Sequence, residues 1–437
     1  MSAAPLGWLG IVRLGLVQSA IGAIVMLATS LLNRVMVVEY ALPAALPAGL
    51  VAWHYAVQLT RPAWGHGSDR GRRRTPWIVL GMGTLALGAL LAVDALAFLA
   101  ARSVAGVLLA ILAFAMIGAG VGAAGTSLLA LLATRVAPQR RAAAAAITWI
   151  MMVAGIAVTA GVAGALIEPF SLQRLAIVAG GVAGAAFVVA MLALWGVEGR
   201  RPVAVPVRDS HPLSFGAAVR EMRADPEARR FTLFVFLSML AYSMQDLILE
   251  PFAGLLFAYT PGQSTQLSGL QHGGVLAGMI LAGIGGSAFG GGQAGRLRHW
   301  IVAGCIGSAG ALVGLALAAR AGPDWPLAFN IVLLGFANGV FAVAAIGTMM
   351  GLAGAGKGGR EGIRMGVWGA AQAIAFGLGG LIGAIGVDVG RALIGSTSLT
   401  FTAVFGIEAL LFLLAAALAL RAPPPGYQAV SAREAAA

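Results

Sequence analysis

The chain has 437 residues, of which 59% are hydrophobic and only 10% are charged. A water-soluble domain needs far more polar surface than this composition provides, so most of the chain is expected to lie in lipid. The net charge of +12 suggests nucleic-acid binding, but the basic residues cluster in short stretches between apolar runs, which argues against it. Cys305 is the only cysteine, which excludes an intramolecular disulfide and a thiolate metal cluster.

The apolar runs predict about twelve membrane-spanning helices, because one span takes about 20 apolar residues. The first run is too long for the core of a signal peptide, and no small-residue cleavage site follows it, so a retained helix is predicted. The runs lie near residues 10–36, 46–60, 77–101, 104–133, 142–167, 175–197, 231–257, 267–295, 300–319, 326–352, 365–388 and 399–420.

The basic residues set the orientation of these spans. Twenty Lys and Arg residues fall in the five loops that an internal N-terminus would place in the cytoplasm, and four fall in the opposite loops. Cytoplasmic loops carry an excess of Lys and Arg. The sequence therefore predicts a multi-pass protein of the bacterial inner membrane, with both termini in the cytoplasm.

One long polar stretch divides the chain into nearly equal halves. It carries Pro202, Pro206 and Pro212 together with dense charge, as expected of a linker between two helical bundles. We predict an all-α membrane protein of two related six-helix bundles. Its parts are an N-terminal bundle at 1–197, a cytoplasmic linker at 198–230, a C-terminal bundle at 231–421 and a cytoplasmic tail at 422–437.

The two halves resemble each other in their first two helices. Asn33 and Glu39 near the end of the first helix are followed by His54 in the second. About 215 residues later, Glu250 ends a similar polar segment and is followed by His272. Polar residues that recur at matching places indicate a duplicated bundle.

A short loop between the second and third runs carries a recognisable motif. Gly65 and Asp69 are followed by a basic run that includes Arg72 and Arg73, which resembles the signature loop of the major facilitator superfamily, although it is one residue shorter. Glycine lets two helices meet, and an aspartate there caps a helix end and pairs with arginine. The resemblance implies a conformational latch.

Charged and polar groups inside the spans are expensive in lipid and are therefore candidates for function. Arg34 and Glu39 are expected to pair with each other, with Asp94 or with Glu408. Structural pairing is the simpler interpretation of these residues. The predicted buried polar set is Asn33, Arg34, Asp94 and Glu408.

His54 and His272 have three open interpretations. A neutral imidazole in an apolar helix can ligate a metal such as the Mg of a chlorophyll, relay protons, or bond to a neighbour. Trp53 and Tyr55 flank His54 and are either interfacial anchors or a surface for a flat macrocycle. Apart from such a pigment Mg, the sequence predicts no metal site.

No enzyme motif is present. The sequence lacks a P-loop, a Gly-x-Ser-x-Gly elbow and a His-Glu-x-x-His zinc motif. It also lacks the Asp-x-x-x-Asp pair that holds a Mg-diphosphate in membrane prenyltransferases. The chain is therefore expected not to be an enzyme.

Residues 32–77 carry a more specific resemblance, which also covers Glu250-Pro251 and Arg360-Glu361-Gly362. The stretch runs Leu-Asn-Arg-Val-Met-Val-Val-Glu, then Leu-Pro-Ala, His-Tyr-Ala-Val-Gln, Arg-Pro, and finally Arg-Arg-Thr-Pro-Trp. It resembles the PucC/LhaA family of purple phototrophic bacteria, a branch of the major facilitator superfamily. The family is linked to assembly of light-harvesting antenna complexes and to bacteriochlorophyll delivery, and one branch is labelled a bacteriochlorophyll synthase chain. The missing Asp-x-x-x-Asp pair disfavours a bacteriochlorophyll synthase role for this chain.

The resemblance implies a pigment-handling assembly factor in the intracytoplasmic membrane. It would bind bacteriochlorophyll a, with a carotenoid as a further candidate, and deliver it to light-harvesting polypeptides or the reaction-centre antenna complex. Bacteriochlorophyll synthase and lipid are expected partners; nucleic acid is not. The expected pigment-binding residues are His54, His272, Glu39, Glu250, Trp53 and Tyr55.

The alternative is a proton-coupled transporter of a small solute. In that case Asp94, Glu39 and Arg34 would form the proton and substrate site. The transporter would need a water-accessible cavity lined by those charges, whereas a pigment carrier would not.

Overall fold

The computed structural model describes residues 6–61, 64, 73–137, 140–198, 226–288, 294–354 and 361–421. These residues form twelve long helices, which confirms the all-α fold class. The helices are α1 (Trp8–Glu39), α2 (Ala45–Gln58), α3 (Thr75–Ala100), α4 (Val104–Arg135), α5 (Arg141–Leu166), α6 (Leu172–Leu194), α7 (Pro226–Phe257), α8 (Pro261–Ala288), α9 (Ala294–Ala321), α10 (Leu327–Gly354), α11 (Glu361–Ile394) and α12 (Thr397–Arg421).

Eleven of the twelve helices are long and apolar enough to cross a membrane. The exception is α2, whose 14 residues are fewer than a span of about 20 residues requires. The chain is therefore a multi-pass membrane protein, as its composition predicts.

Helix α8 begins six residues before the predicted apolar run. Thr260 and Gln263 form a capping box: the Thr260 backbone N–H donates to Gln263 Oε1 at 3.0 Å, and the Gln263 N–H donates to Thr260 Oγ1 at 3.2 Å. Pro261 occupies the first helical position, where its missing N–H costs nothing. Capping chemistry rather than hydropathy sets this boundary.

Helix α11 continues six residues beyond its predicted end at Asp388, through Arg391 to Ile394. It stops at Gly395, which has a φ of +70° and donates its N–H to Arg391 O at 3.1 Å. Glycine is the residue that adopts this left-handed conformation without steric cost.

The chain divides into two compact units. The first contains the described residues within 1–208 and within 246–272, and the second contains those within 209–245 and 273–437. Residues 246–272 belong to the predicted C-terminal bundle, yet they pack as part of the first unit. The predicted boundaries at 198–230 remain a prediction.

The first unit is closely packed where glycine removes side-chain bulk. A Cβ on Gly120 of α4 would lie 2.6 Å from the backbone nitrogen of Leu85 on α3. A Cβ on Gly164 of α5 would lie 2.7 Å from the carbonyl oxygen of Gly262 on α8. Small residues allow helix backbones to approach closely in lipid. The α5–α8 contact helps to hold residues 246–272 in the first unit.

The second unit has an aromatic core. The ring of Tyr242 lies edge-on to Phe341 and to Phe376, with centroid distances of 6.4 and 5.7 Å, and Phe341 in turn contacts Phe412 at 5.6 Å. Edge-to-face pairs of this kind add to the stability gained from burial. The rings come from α7, α10, α11 and α12, so they tie these four helices together.

Candidate functional site

Helix α1 is irregular where its polar residues lie. Two π-helical segments, Leu27–Leu31 and Val35–Glu39, flank a single α-turn at Leu32–Arg34. π-turns are rare and occur frequently at functional sites. Ser30, Asn33 and Arg34 are all buried in this part of the helix.

A proline in α7 creates a hydrogen-bonding need that α1 meets. Pro251 lies inside the helix and has no N–H, so the carbonyl of Leu247, four residues earlier, loses its helical partner. The Asn33 side chain donates from Nδ2 to Leu247 O at 2.7 Å. Asn33 therefore satisfies the carbonyl that Pro251 leaves unpaired.

Glu250, the residue before that proline, is the buried acid of the site, with 3% of its surface exposed. Ser30 Oγ of α1 donates a hydrogen bond to Glu250 Oε1. The same Ser30 hydroxyl lies 3.2 Å from Ser268 Oγ of α8. Within the described part of the chain, Glu250 Oε2 has no hydrogen-bond partner. Glu250 thus joins α1, α7 and α8 and keeps one oxygen atom available.

Arg34 is 2% exposed and is held by three groups. Nη1 forms an ion pair with Glu39 Oε1 at 2.5 Å, Nη2 donates to Tyr259 O at 2.6 Å, and Nε donates to Ser264 Oγ at 3.3 Å. Space for the guanidinium comes from Gly254, where a Cβ would lie 2.9 Å from Nη2. Of the three expected pairings of Arg34, the one with Glu39 is present.

Glu39 ends α1 and is partly exposed, with 32% of its side chain accessible. Tyr40 follows it outside the span, where burial and the neighbouring Glu39 charge raise the pKa of the phenol. Tyr40 is therefore uncharged at neutral pH, and the Glu39 carboxylate is committed to Arg34.

His272 extends this network along α8. Its Nδ1 lies 2.9 Å from the carbonyl oxygen of Ser268. Because a carbonyl only accepts hydrogen bonds, Nδ1 carries the ring proton and Nε2 carries the lone pair. The residue is half-buried, and no other described residue bonds to Nε2. His272 is thus anchored through one nitrogen and has the other available.

His54 has the opposite arrangement. It is 2% exposed, and its Nε2 lies 2.7 Å from the Gln58 amide nitrogen. An amide nitrogen only donates, so the lone pair of Nε2 is already occupied. Gln58 Oε1 accepts in turn from Arg61. His54 Nδ1 is buried and has no partner among the described residues.

The aromatic residues beside His54 are fixed on α2. Trp53 is 44% exposed, and its Nε1 donates to the Ile111 carbonyl of α4 at 3.2 Å. Tyr55 lies edge-on to His54 with a centroid distance of 5.0 Å.

Asp94 is exposed, although the sequence predicts it in the buried polar set. It lies on the exposed face of α3, because its position in the helical repeat coincides with the lipid-facing residues. Glu408 is fully buried, but on α12 of the second unit. The expected group of Asp94, Glu39 and Arg34 is therefore not assembled, although Glu39 and Arg34 are paired.

The predicted latch lies mostly outside the described residues. Gly65, Asp69 and Arg72 fall there, whereas Arg73 is exposed just before α3. At the start of α3, Glu198 accepts hydrogen bonds from the Thr75 backbone N–H at 2.8 Å and from that of Arg74 at 2.6 Å.

Sequence reasoning missed the serines of the site. Ser264 and Ser268 precede His272 at intervals of four residues, which places all three on one face of α8. Asp246 and Glu250 have the same spacing on α7. Polar residues at a spacing of four within apolar helices would have indicated these facing stripes.

The comparisons with known proteins identify the family. The sequence model of the family described as PUCC protein matches residues 31–423. This chain belongs to the PucC family.

Among its relatives, the Bacteriochlorophyll synthase 44.5 kDa chain of Rhodobacter capsulatus is 52% identical over 414 residues, covering 95% of both chains. Protein PucC of Rhodobacter capsulatus is 30% identical over 429 residues, covering 94% of this chain and 91% of the relative. The predicted family resemblance is confirmed.

Solved structures give the fold. A D-xylose–proton symporter superimposes with a TM-score of 0.71 at 15% identity, covering 95% of this chain and 98% of its own. A bacterial homologue of the lysosomal transporter Spinster superimposes with a TM-score of 0.67 at 16% identity, covering 94% and 96%. The fold is that of major-facilitator transporters, as predicted.

One expectation is wrong. The sequence was expected not to encode an enzyme, but the relative at 52% identity is named as a chain of bacteriochlorophyll synthase. The inference failed because the missing Asp-x-x-x-Asp pair excludes only a chain that itself binds the diphosphate. An enzyme built from several chains can place that motif on another chain.

Proposed function

We propose that this chain binds bacteriochlorophyll in the membrane as part of the bacteriochlorophyll synthase system and passes it to light-harvesting polypeptides. The observation that carries the proposal is the hydrogen-bonding state of His272. Its Nδ1 is bonded to the Ser268 carbonyl, so its Nε2 lone pair is available.

His272 would hold the Mg of a chlorophyll through Nε2, and it would supply one protein ligand to that metal. Metal-ligating histidines usually donate their second ring N–H to a carbonyl or carboxylate, which fixes the tautomer and the ring orientation. The Ser268 carbonyl fulfils that role for His272 at 2.9 Å. Among the described residues, no group of three or more His, Cys, Asp or Glu could hold a bare metal ion.

The other predicted pigment residues take supporting places in the proposal. Three hydrogen bonds connect Glu250 with His272: Glu250 to Ser30, the Ser30 hydroxyl to the Ser268 hydroxyl, and the Ser268 carbonyl to His272. The unpartnered Oε2 of Glu250 is an acceptor for a polar substituent of the pigment. Glu39 is committed to Arg34, and His54 to Gln58, so neither is assigned as the Mg ligand. Trp53 and Tyr55 remain candidates for contact with the ring.

The 52%-identical relative supports the link with synthesis, since its name combines the pigment and the synthase. We assign bacteriochlorophyll a as the pigment and leave carotenoid out, because no relative's name supports it. For the chain itself, the basic loops favour an inner or intracytoplasmic membrane with both termini in the cytoplasm. Reporter fusions at each terminus test that orientation.

The experiment is an absorption spectrum and a solvent extract of the full chain, gently purified from a phototrophic host. We expect about one or more bacteriochlorophylls per chain, and a clear loss in the His272→Ala variant. His299→Ala is the matched control, because His299 is an exposed histidine on α9. A colourless preparation from a pigment-producing host would overturn the proposal.

Delivery and synthesis are tested separately. The pigment-loaded chain is mixed with pigment-free light-harvesting polypeptides, and the red shift of the absorption band reports transfer. The purified synthase activity is measured with and without this chain. Transfer without any effect on synthesis would restrict the proposal to delivery, and no transfer would remove the delivery step.

A second candidate is proton-coupled transport of a small solute. The buried charges of Arg34 and Glu250 favour it, because ionisable groups inside a membrane commonly mark proton or ion pathways. Proton uptake into vesicles that contain the chain, abolished by Glu250→Gln, would support transport. Bound pigment with no proton movement would exclude it.

A further inference from the structure

Helix α3 has an exposed stripe that is apolar except at one position. Leu87 is 60% exposed, Leu90 36% and Phe98 49%, and Asp94 lies exposed between them. The intervals of three or four residues place all four side chains on one face of the helix. A carboxylate therefore interrupts a lipid-facing surface.

Asp94 lies inside the candidate membrane span of α3, Thr75–Ala100. It lies six residues before the end of the span at Ala100, which corresponds to about 9 Å along the helix. Long basic side chains can extend to the interface from such a depth, but aspartate is short. Asp94 forms no hydrogen bond or ion pair with another described residue.

Helix α6 forms the neighbouring wall and runs antiparallel to α3. A Cβ on Gly180 would lie 3.8 Å from Leu90, and a Cβ on Gly83 would lie 3.8 Å from Phe187. The two contacts are seven residues apart on both helices, in opposite directions along the chain. The part of α6 level with Asp94 is therefore near Ile177, which is 67% exposed.

The outer face of α6 next to this stripe has little side-chain bulk. Gly181 and Gly184 are exposed, and a Cβ built on either would meet no atom within 4 Å. Farther along the same face, Val188 is 54% exposed. Glycines on an open face allow the backbone of another helix to approach closely.

We propose that the outer face of α3 and α6 docks a transmembrane helix of another protein, and that this helix brings an Arg or Lys to Asp94. The proposal goes beyond pigment binding and does not depend on it. This surface, the Asp94 face, comprises Leu87, Leu90, Asp94 and Phe98 on α3 with Ile177, Gly181, Gly184 and Val188 on α6.

Charge complementarity selects this occupant. An unpaired carboxylate in hydrocarbon is costly, and a basic side chain from a neighbouring helix removes most of that cost. Lipid phosphates carry the same charge sign as Asp94 and would not pair with it. Leu90 and Phe98 lie on either side of Asp94 and are apolar, so they would contact the apolar residues of a spanning helix.

The test measures association in phosphatidylcholine vesicles by energy transfer between the labelled full-length chain and a synthetic helix. The probe is a peptide of about 20 Leu and Ala residues with one Arg six residues from its end. The matched peptide has Leu in place of Arg. We expect the Arg peptide to associate about threefold to thirtyfold more tightly, the range that polar contacts between membrane helices provide.

Substitutions assign the effect to the Asp94 face. Asp94→Asn should abolish the preference for the Arg peptide, whereas Asp324→Asn, an exposed loop substitution, should not. Asp94→Lys should reverse the preference toward a peptide with Glu at the same position. The proposal is overturned if the Arg and Leu peptides bind equally. It is also overturned if Asp94→Asn leaves the preference intact, or if the chain instead associates with a second copy of itself through Asp94.

Discussion

The two histidines of the first unit show how much the hydrogen-bond partner decides. His54 and His272 have matching places in the two halves of the sequence, yet His54 accepts a bond from Gln58 and His272 donates one to the Ser268 carbonyl. The first lone pair is occupied and buried, and the second is available on a half-buried ring. Equivalent positions in a duplicated chain therefore do not imply equivalent chemistry.

The surroundings of the two histidines differ in the same way. His272 continues a network in which α1, α7 and α8 exchange bonds through Ser30, Glu250 and Arg34. His54 belongs to a short series on α2 and the turn after it, formed with Gln58 and Arg61. The region around His272 is thus built from distant parts of the chain, and the region around His54 is local.

The largest expected effect comes from removing the charge at the centre of the network around His272. Arg34→Ala leaves Tyr259 O and Ser264 Oγ without their donor and removes the ion pair of the partly exposed Glu39, so we expect a loss of about 3 kcal/mol in stability. Thermal unfolding of the detergent-solubilised protein measures it. Arg320→Ala, an exposed arginine on α9, is the control and should change little. Equal melting temperatures for both variants would contradict the network.

A smaller effect is expected where α1 meets α7. Asn33→Leu leaves the Leu247 carbonyl buried without a donor, at a cost of about 1–3 kcal/mol. Pro251→Ala restores a backbone N–H that can reach the same carbonyl. We therefore expect Asn33→Leu to cost less than half as much in the Pro251→Ala background. A double-mutant cycle of unfolding free energies measures this coupling, and additive effects would refute the role given to Asn33.

The smallest effect is expected in the region around His54. Gln58→Leu removes the donor to His54 Nε2, and we expect it to cost about 1 kcal/mol, in the range of a single hydrogen bond, without changing bound pigment. Pigment content per chain and unfolding are measured on the same preparation. Loss of pigment from a stable Gln58→Leu protein would mean that the region around His54 takes part in pigment binding, which would contradict the comparison.

The fold could be predicted from the sequence because lipid imposes a strong pattern. The long apolar runs predicted the number of helices, and the family resemblance predicted their arrangement in a major-facilitator bundle. The boundary of α8 could not be found by hydropathy, since Thr260 and Gln263 set it through capping. In the same way, hydropathy alone ended α11 too early, because the helix continues past Asp388 through the charged Arg391.

The site was predicted only in part. His272, Glu250, Arg34 and Asn33 stand out as polar groups in apolar helices, and the structure brings them into one unit. Their hydrogen-bond partners could not be predicted from the sequence, because the pairing of Asn33 with Leu247 O depends on tertiary packing. The exposure of Asp94 was missed for the same reason, since burial depends on which helices are neighbours.

The most direct test of the central claim is ligand replacement at the two histidines. His272→Gly and His54→Gly proteins are purified from a phototrophic host with and without imidazole, and bacteriochlorophyll per chain is measured. We predict that His272→Gly loses its pigment and regains it with imidazole, whereas His54→Gly keeps its pigment throughout. Loss and imidazole rescue at His54, with His272→Gly fully pigmented, would contradict the assignment of His272 as the Mg ligand.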